Sequence, residues 1–138
     1  SPGALHVAQV NAERFGVAGS IRFVRSDLFA ELDNNERFDI IASNPPYIST
    51  EEYDDLEDEV KADPKLALLA GPRGLDIIVR LITDAPDFLV RPGFLQFEIG
   101  YDQTEEIFEM VHGDDRYTNC TFFKDLNDID RIALCKIE

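Results

Sequence analysis

Apolar positions along this chain recur in two periods, one helical and one alternating, and the places where the period changes divide it into elements. Ser1-Pro2 followed by Leu5, Ala8, Ala12 and Phe15 predicts a helix, with an N-cap residue, a proline at the first helical position, an apolar stripe and a stop at Gly16. Residues 21–24, Ile-Arg-Phe-Val, predict a strand. Asp27-Leu28-Phe29 stands at its C-terminal end, and a polar loop follows through Asp33-Asn34-Asn35. Arg37-Phe38-Asp39-Ile40-Ile41-Ala42-Ser43 has an apolar middle and predicts a strand buried on both faces of a parallel sheet.

The second half continues the alternation of helix and strand. Leu75, Ile78, Val79, Ile82 and Ala85 lie at helical spacing, and Pro86 ends or kinks that helix before Phe88-Leu89. Residues 93–100 predict another strand, and Ile107, Phe108 and Val111 mark the next helix. Strands near Tyr117 to Lys124 and over residues 129–136 are joined by the turn-like Asp125-Leu126-Asn127-Asp128. The order helix, strand, strand, helix, strand, helix, strand, strand predicts an α/β fold with an antiparallel pair at the C-terminal edge.

Composition narrows the class. The chain has 138 residues, 44% of them hydrophobic, which is enough for one domain with a core. Its formal net charge of −15 repels polyanions, so direct nucleic-acid binding by these residues is disfavoured. The acidic run Glu51-Glu52-Tyr53-Asp54-Asp55-Leu56-Glu57-Asp58-Glu59 reads as a solvated or mobile face rather than a docking surface. Cys120 and Cys135 stand singly in apolar, strand-like runs and read as buried free thiols, with no disulfide framework and no metal site. That usage fits a reducing cytoplasm. No run has the apolar length of a membrane span, and the first residues do not have the character of a signal peptide.

The candidate chemistry sits at Asn44-Pro45-Pro46-Tyr47, directly after the predicted strand. Ligands of open α/β sheets bind outside the carboxyl ends of the strands, which is where this tetrapeptide falls. Two consecutive prolines supply no backbone N–H, and Pro46 holds Pro45 extended, so carbonyls here stay unpaired and fixed in direction. An Asn side-chain oxygen beside a proline carbonyl offers two acceptors for the two hydrogens of a planar –NH2 group. Tyr47 adds a flat face on which an amide or a base stacks.

The tetrapeptide resembles the [Asn/Asp]-Pro-Pro-[Tyr/Phe] motif of S-adenosylmethionine-dependent amino-methyltransferases. Further segments occur with it in one order: Ser1-Pro2-Gly3-Ala4-Leu5, Asp27-Leu28-Phe29, Glu59-Val60, Leu66-Ala67-Leu68, Gly74-Leu75-Asp76, Phe97-Glu98-Ile99-Gly100 and Asp125-Leu126-Asn127-Asp128-Ile129-Asp130-Arg131. Together they resemble the catalytic domain of bacterial release-factor glutamine methyltransferases across essentially the whole chain. The resemblance implies N5-methylation of the glutamine in the Gly-Gly-Gln motif of class 1 peptide chain release factors, with S-adenosylmethionine as cofactor. It also implies a partial Rossmann-like class I methyltransferase fold, with residues 1–138 as the C-terminal part of a catalytic domain. Asn44, Pro45, Pro46 and Tyr47 become the expected catalytic residues, and Asp27, Leu28 and Asn44 the expected cofactor-binding ones, with Asp27 accepting from the adenine amino group. Glu98 reads as a strand-end group that orients a neighbour, and Asp130 and Arg131 as a strand-start pair without a catalytic role. An adenine-N6 methyltransferase of DNA or RNA and a noncatalytic acidic interaction module are the competing readings.

Two departures accompany the resemblance. Ala70-Gly71-Pro72-Arg73-Gly74-Leu75 stands where the family has Gly-Gly-x-Asp-Gly-Leu. The family's first two strands, its glycine-rich cofactor turn and its N-terminal helical domain have no counterpart in these residues. The missing strands would lie between residues 21–24 and the strand before Asn44. That strand is therefore expected either to pair with residues 21–24 directly or to expose an edge through which chains self-associate. These 138 residues alone are expected to bind S-adenosylmethionine weakly or not at all, and calorimetric titration yielding micromolar affinity would overturn this.

Overall fold

In the computed structural model, which describes residues 1–138, the expected N-terminal helix is α1 (Pro2–Arg14). The Ser1 hydroxyl accepts the Ala4 amide at 3.3 Å, which satisfies one of the helix's otherwise unpaired first donors. Gly16 ends the helix region in the left-handed conformation, at φ +69°. Leu5 and Ala8 are half-buried and Ala12 is buried, whereas Phe15 at the end of the predicted stripe is exposed. This helix belongs to a first unit, Ser1–Asp33.

Residues 21–24 of that unit do not form the expected strand. Ile21 has extended backbone angles (φ −122°, ψ 129°), yet residues 21–26 carry no strand assignment. Ile, Phe and Val make a backbone extended, but a strand exists only through ladder bonds to a neighbour, and composition cannot provide the neighbour.

The second unit, Asn34–Glu138, holds a four-stranded sheet made of β1 (Phe38–Ser43), β2 (Leu89–Glu98), β3 (Tyr117–Lys124) and β4 (Asp130–Ile137). The strand order is β1-β2-β4-β3. β1 pairs with β2 in parallel, while β4 pairs antiparallel with both β2 and β3. Two short helices, α2 (Asp58–Lys61) and α3 (Lys65–Leu68), and then α4 (Asp76–Asp84) lie in the crossover from β1 to β2; α5 (Thr104–His112) follows β2. Pro86 stands in a short 3-10 turn directly after α4, as its missing amide requires. The antiparallel C-terminal pair is present as expected. Its link is closed by the Asp125 carboxylate, which accepts the Asn127 and Ile129 amides at 2.8 and 3.1 Å.

The core is organised on β2. Leu95, Phe97 and Ile99 are fully buried, as are Ala133, Cys135 and Ile137 on β4. The ladder sets Gly93 opposite Ile137, Leu95 opposite Cys135 and Phe97 opposite Ala133. Each larger side chain therefore meets a smaller one across the ladder, so one sheet face fills evenly. Ile78, Leu81 and Ile82 of α4 and Ile107 and Val111 of α5 complete this apolar set.

β1 departs from its predicted burial. Asp39, Ile40 and Ala42 are exposed, with Ile40 at 61%, and Ile41 is only half-buried. β1 is the outermost strand with β2 as its single ladder partner, so the direct pairing with residues 21–24 is not found. The acidic run forms a 3-10 turn over Glu52–Asp55 and then α2, with Asp54, Asp55 and residues 57–59 exposed. Phe97→Ala should lower stability by about 3–5 kcal/mol in denaturant titration, and a loss under 1 kcal/mol would contradict the central place of β2.

Candidate active site

Asn44 follows the last residue of β1, at the carboxyl end of a parallel strand. Asn44 is exposed, Pro45 is buried, and Pro46 and Tyr47 are half-buried. The chain then pairs briefly in parallel with the segment after α3. The Ile48 amide donates to the Leu68 carbonyl and the Ala70 amide to the Ile48 carbonyl, both at 2.9 Å. Thr50 continues the line with a 3.0 Å bond to the Gly71 carbonyl.

The tetrapeptide is also held from the far side of β2. The Gln103 side-chain nitrogen donates to the Tyr47 carbonyl at 3.0 Å and to the Gly74 carbonyl at 3.2 Å, while its oxygen accepts the Gly100 amide at 2.8 Å. The Tyr47 carbonyl is thus paired, unlike the free carbonyls expected of a Pro-Pro turn. Gln103 is one of two buried polar residues, and these partners, with the Arg73 carbonyl at 3.5 Å, satisfy both ends of its amide. Gly74 makes this approach possible: at φ +69°, a Cβ there would lie 2.2 Å from the Tyr47 carbonyl oxygen. The divergent segment 70–75 therefore keeps a glycine at the position whose backbone touches the motif.

Tyr47 is fixed at its other end. Its hydroxyl donates to the Glu98 carboxylate at 2.8 Å, from the last residue of β2. Burial, the hydrogen bond to Glu98 and that residue's negative charge all raise the phenol's pKa above its ordinary value, so the ring stays neutral through the physiological range. Glu98 orients Tyr47, as its strand-end position led us to expect.

Two clefts meet at Tyr47. One, of about 380 Å³, is lined by Asn44, Pro45, Tyr47, Asp63 and Leu68 among others. The second, of about 210 Å³, has Tyr47, Glu52, Tyr101, Asp102 and Arg131 in its walls. Asn44 and Pro45 thus line one cleft, and Tyr47 and Ile48 belong to the walls of both. Asp130, at the start of β4, accepts the Thr104 hydroxyl at 3.2 Å, and Arg131 lies 3.4 Å from the Asp125 carboxylate. Asp27 and Leu28 belong to the first unit, in a turn in which the Ala30 amide bonds the Asp27 carbonyl at 3.2 Å. Asp27 is exposed and Leu28 half-buried with φ +50°, so they occupy a turn rather than a strand end.

Comparison with known proteins bears on what this arrangement serves. A family model described as an RMKL-like methyltransferase domain matches residues 2–60. The release factor glutamine methyltransferase of Geobacter sulfurreducens is 38% identical over 134 residues, covering 96% of this chain and 46% of that protein. This chain is a homologue of the release factor glutamine methyltransferases. A second relative, the ribosomal protein uL3 glutamine methyltransferase of Bradyrhizobium diazoefficiens, is 44% identical over 100 residues, covering 72% of the chain and 31% of that protein. The chain spans about half the length of the first of these relatives and less of the second. Two solved structures match all of this methyltransferase homologue with a TM-score of 0.65. They are the ribosomal protein L11 methylase of Lactobacillus delbrueckii subsp. bulgaricus, at 18% identity over 55% of its chain, and TrmN of Thermus thermophilus, at 13% over 34%. They establish the class I methyltransferase fold of the homologue.

Gln103 was not legible as part of the site. Its only sequence signal is its place shortly after a buried strand-end glycine, in Gly100-Tyr101-Asp102-Gln103. Gln103→Leu removes every polar contact of this side chain and leaves a buried amide and two carbonyls short of partners. It should cost about 1–3 kcal/mol in thermal or denaturant unfolding; equal stability of wild type and Gln103→Leu would refute the bracing role.

Proposed function

We propose that the full-length protein methylates the side-chain nitrogen of a protein glutamine, N5 of the glutamine in the Gly-Gly-Gln motif of class 1 release factors, with S-adenosylmethionine as donor. The observation that carries this reading is the exposed Asn44 beside the Pro45 carbonyl, in a cleft at the carboxyl end of β1, walled by a neutral Tyr47. The names of the most similar relatives agree with it.

The residues present suit the cofactor in kind. Within the first unit, Asp27 is an exposed side chain whose carboxylate form accepts hydrogen bonds, as an adenine amino group requires, with the apolar Leu28 next to it in sequence; within the second, Asn44 stands at the rim of the cleft. When bound, S-adenosylmethionine supplies a methyl group activated by a sulfonium. The task left to this chain is to present the nucleophile, and an amide nitrogen is a poor one because its lone pair is delocalised into the carbonyl. The Asn44 side-chain oxygen and the Pro45 carbonyl accept the two amide hydrogens, which fixes the nitrogen's direction and stabilises positive charge as it develops there. Tyr47, anchored through Glu98, keeps the amide plane from turning.

Electrostatics favour a protein acceptor. The net charge is −15, and the clefts beside Tyr47 carry Asp63 on one side and Glu52 and Asp102 on the other. A phosphate backbone is repelled from such a rim, whereas a basic protein surface is not. That argues against adenine methylation and for a release factor as partner. No helix is long and apolar enough to cross a membrane. A release factor acts in translation, and we place the reaction with it in the cytoplasm.

The test offers the full-length protein a release factor, ribosomal protein uL3 and adenine-containing DNA and RNA side by side, with labelled S-adenosylmethionine. Methyl transfer to the release factor's glutamine is expected; transfer only to nucleic acid refutes the reading, and transfer only to uL3 reassigns the acceptor. Asn44→Ala should lower kcat about 100-fold or more with little change in cofactor affinity, and equal loss of both would remove Asn44 from the substrate's amide.

A further inference from the structure

Away from Tyr47 and its clefts, the sheet carries a second set of reactive side chains. Cys120 of β3 and Cys135 of β4 stand directly opposite each other in the antiparallel ladder, and their sulfurs are 2.8 Å apart. Both are free thiols, Cys120 half-buried and Cys135 buried. Directly opposed residues of an antiparallel pair have Cα atoms about 4.5–5.5 Å apart, inside the roughly 4.4–6.8 Å range in which a disulfide closes without moving the backbone. The two strands thus already hold the geometry of the oxidised pair. A cavity of about 280 Å³, lined by Phe108, His112, Tyr117, Asn119 and Cys120 among others, opens onto one of the two sulfurs.

We propose that Cys120 and Cys135 form a reversible thiol–disulfide site, oxidised by small disulfides that enter through this cavity and attacked first at Cys120. The two sulfurs are not equivalent. The contact between the sulfurs lowers the pKa of Cys120, while that of Cys135 is raised by the same contact and by burial. Cys120, which lines the cavity and is half-buried, is therefore the first to react, and the buried Cys135 follows. In the first step the Cys120 thiolate attacks a sulfur of the oxidant, forming a mixed disulfide and releasing one thiolate. That thiolate takes the Cys135 proton, and the Cys135 sulfur attacks Cys120, releasing the second half of the oxidant as a thiolate, which takes up from solvent the proton that Cys120 gave up before the first step. The two protein thiols lose two protons and two electrons, and the small disulfide becomes two thiols. No third protein group is consumed. The site is independent of the methyl-transfer reading, since neither cysteine lines a cleft beside Tyr47.

The experiment equilibrates the folded protein with excess glutathione disulfide, blocks remaining thiols with an alkylating agent and maps the peptides without reduction. The expected result is one intramolecular Cys120–Cys135 link, reversed by dithiothreitol. Cys135→Ala should instead keep glutathione on Cys120, because nothing resolves the mixed disulfide. In Cys120→Ser, Cys135 should stay unmodified while the protein is folded. Two free thiols in the wild type, glutathione persisting on wild-type Cys120, or a link between two chains would each overturn the proposal. The wild-type mapping decides the matter even if a variant fails to fold.

Discussion

A turn built on two prolines cannot hold itself, and the rest of the site follows from that constraint. Pro45 and Pro46 have no N–H to give, so the chain beyond β1 has no local ladder to settle into. Its position is imposed from outside by three attachments to separate parts of the unit. The Ile48 backbone pairs with the segment after α3, the Tyr47 carbonyl takes a hydrogen from Gln103, and the Tyr47 hydroxyl gives one to Glu98. Because the holding groups lie at Tyr47 and beyond, Asn44 remains exposed at the mouth of a cleft.

The strand that supplies this support is also the centre of the core. β2 lies between β1 and β4, and its residues alternate strictly from Gly93 onward: Leu95, Phe97 and Ile99 are buried, while Gln96 and Glu98 lie on the other face. A slip of one residue would exchange those faces, withdrawing Glu98 from Tyr47 and exposing Phe97. Packing against Ala133 and Cys135 fixes the register and so fixes where the carboxylate stands. Stability and site geometry are in this respect one property of β2, and Gly100 and Gln103 extend it beyond the strand's end.

Charge acts on a longer scale. The site is acidic at its rim, in keeping with the whole chain, while the ring at its centre is held neutral by burial and by its contact with Glu98. A neutral phenol is spared the desolvation that a phenolate would demand there.

The sequence by itself determined α1, α4 and α5, the C-terminal hairpin and the position of the Asn-Pro-Pro-Tyr turn, because each follows from local chemistry, whereas the short α2 and α3 were not legible. Ser1 and Gly16 bound α1, Pro86 follows α4, and Asp125 closes the last turn, all through contacts within a few residues. What spanned the chain was not legible. Residues 21–24 have strand composition but no ladder, and β1 reads as buried on both faces though its outermost place leaves Asp39, Ile40 and Ala42 exposed. Gln103, distant in sequence from Tyr47 and Gly74, shows no pattern that announces its bonds to both. The opposition of Cys120 and Cys135 likewise depends on register. Local preferences are written in adjacent residues, whereas partners across a sheet or a turn are chosen by which surfaces the folded chain brings together, and that was decided only in three dimensions.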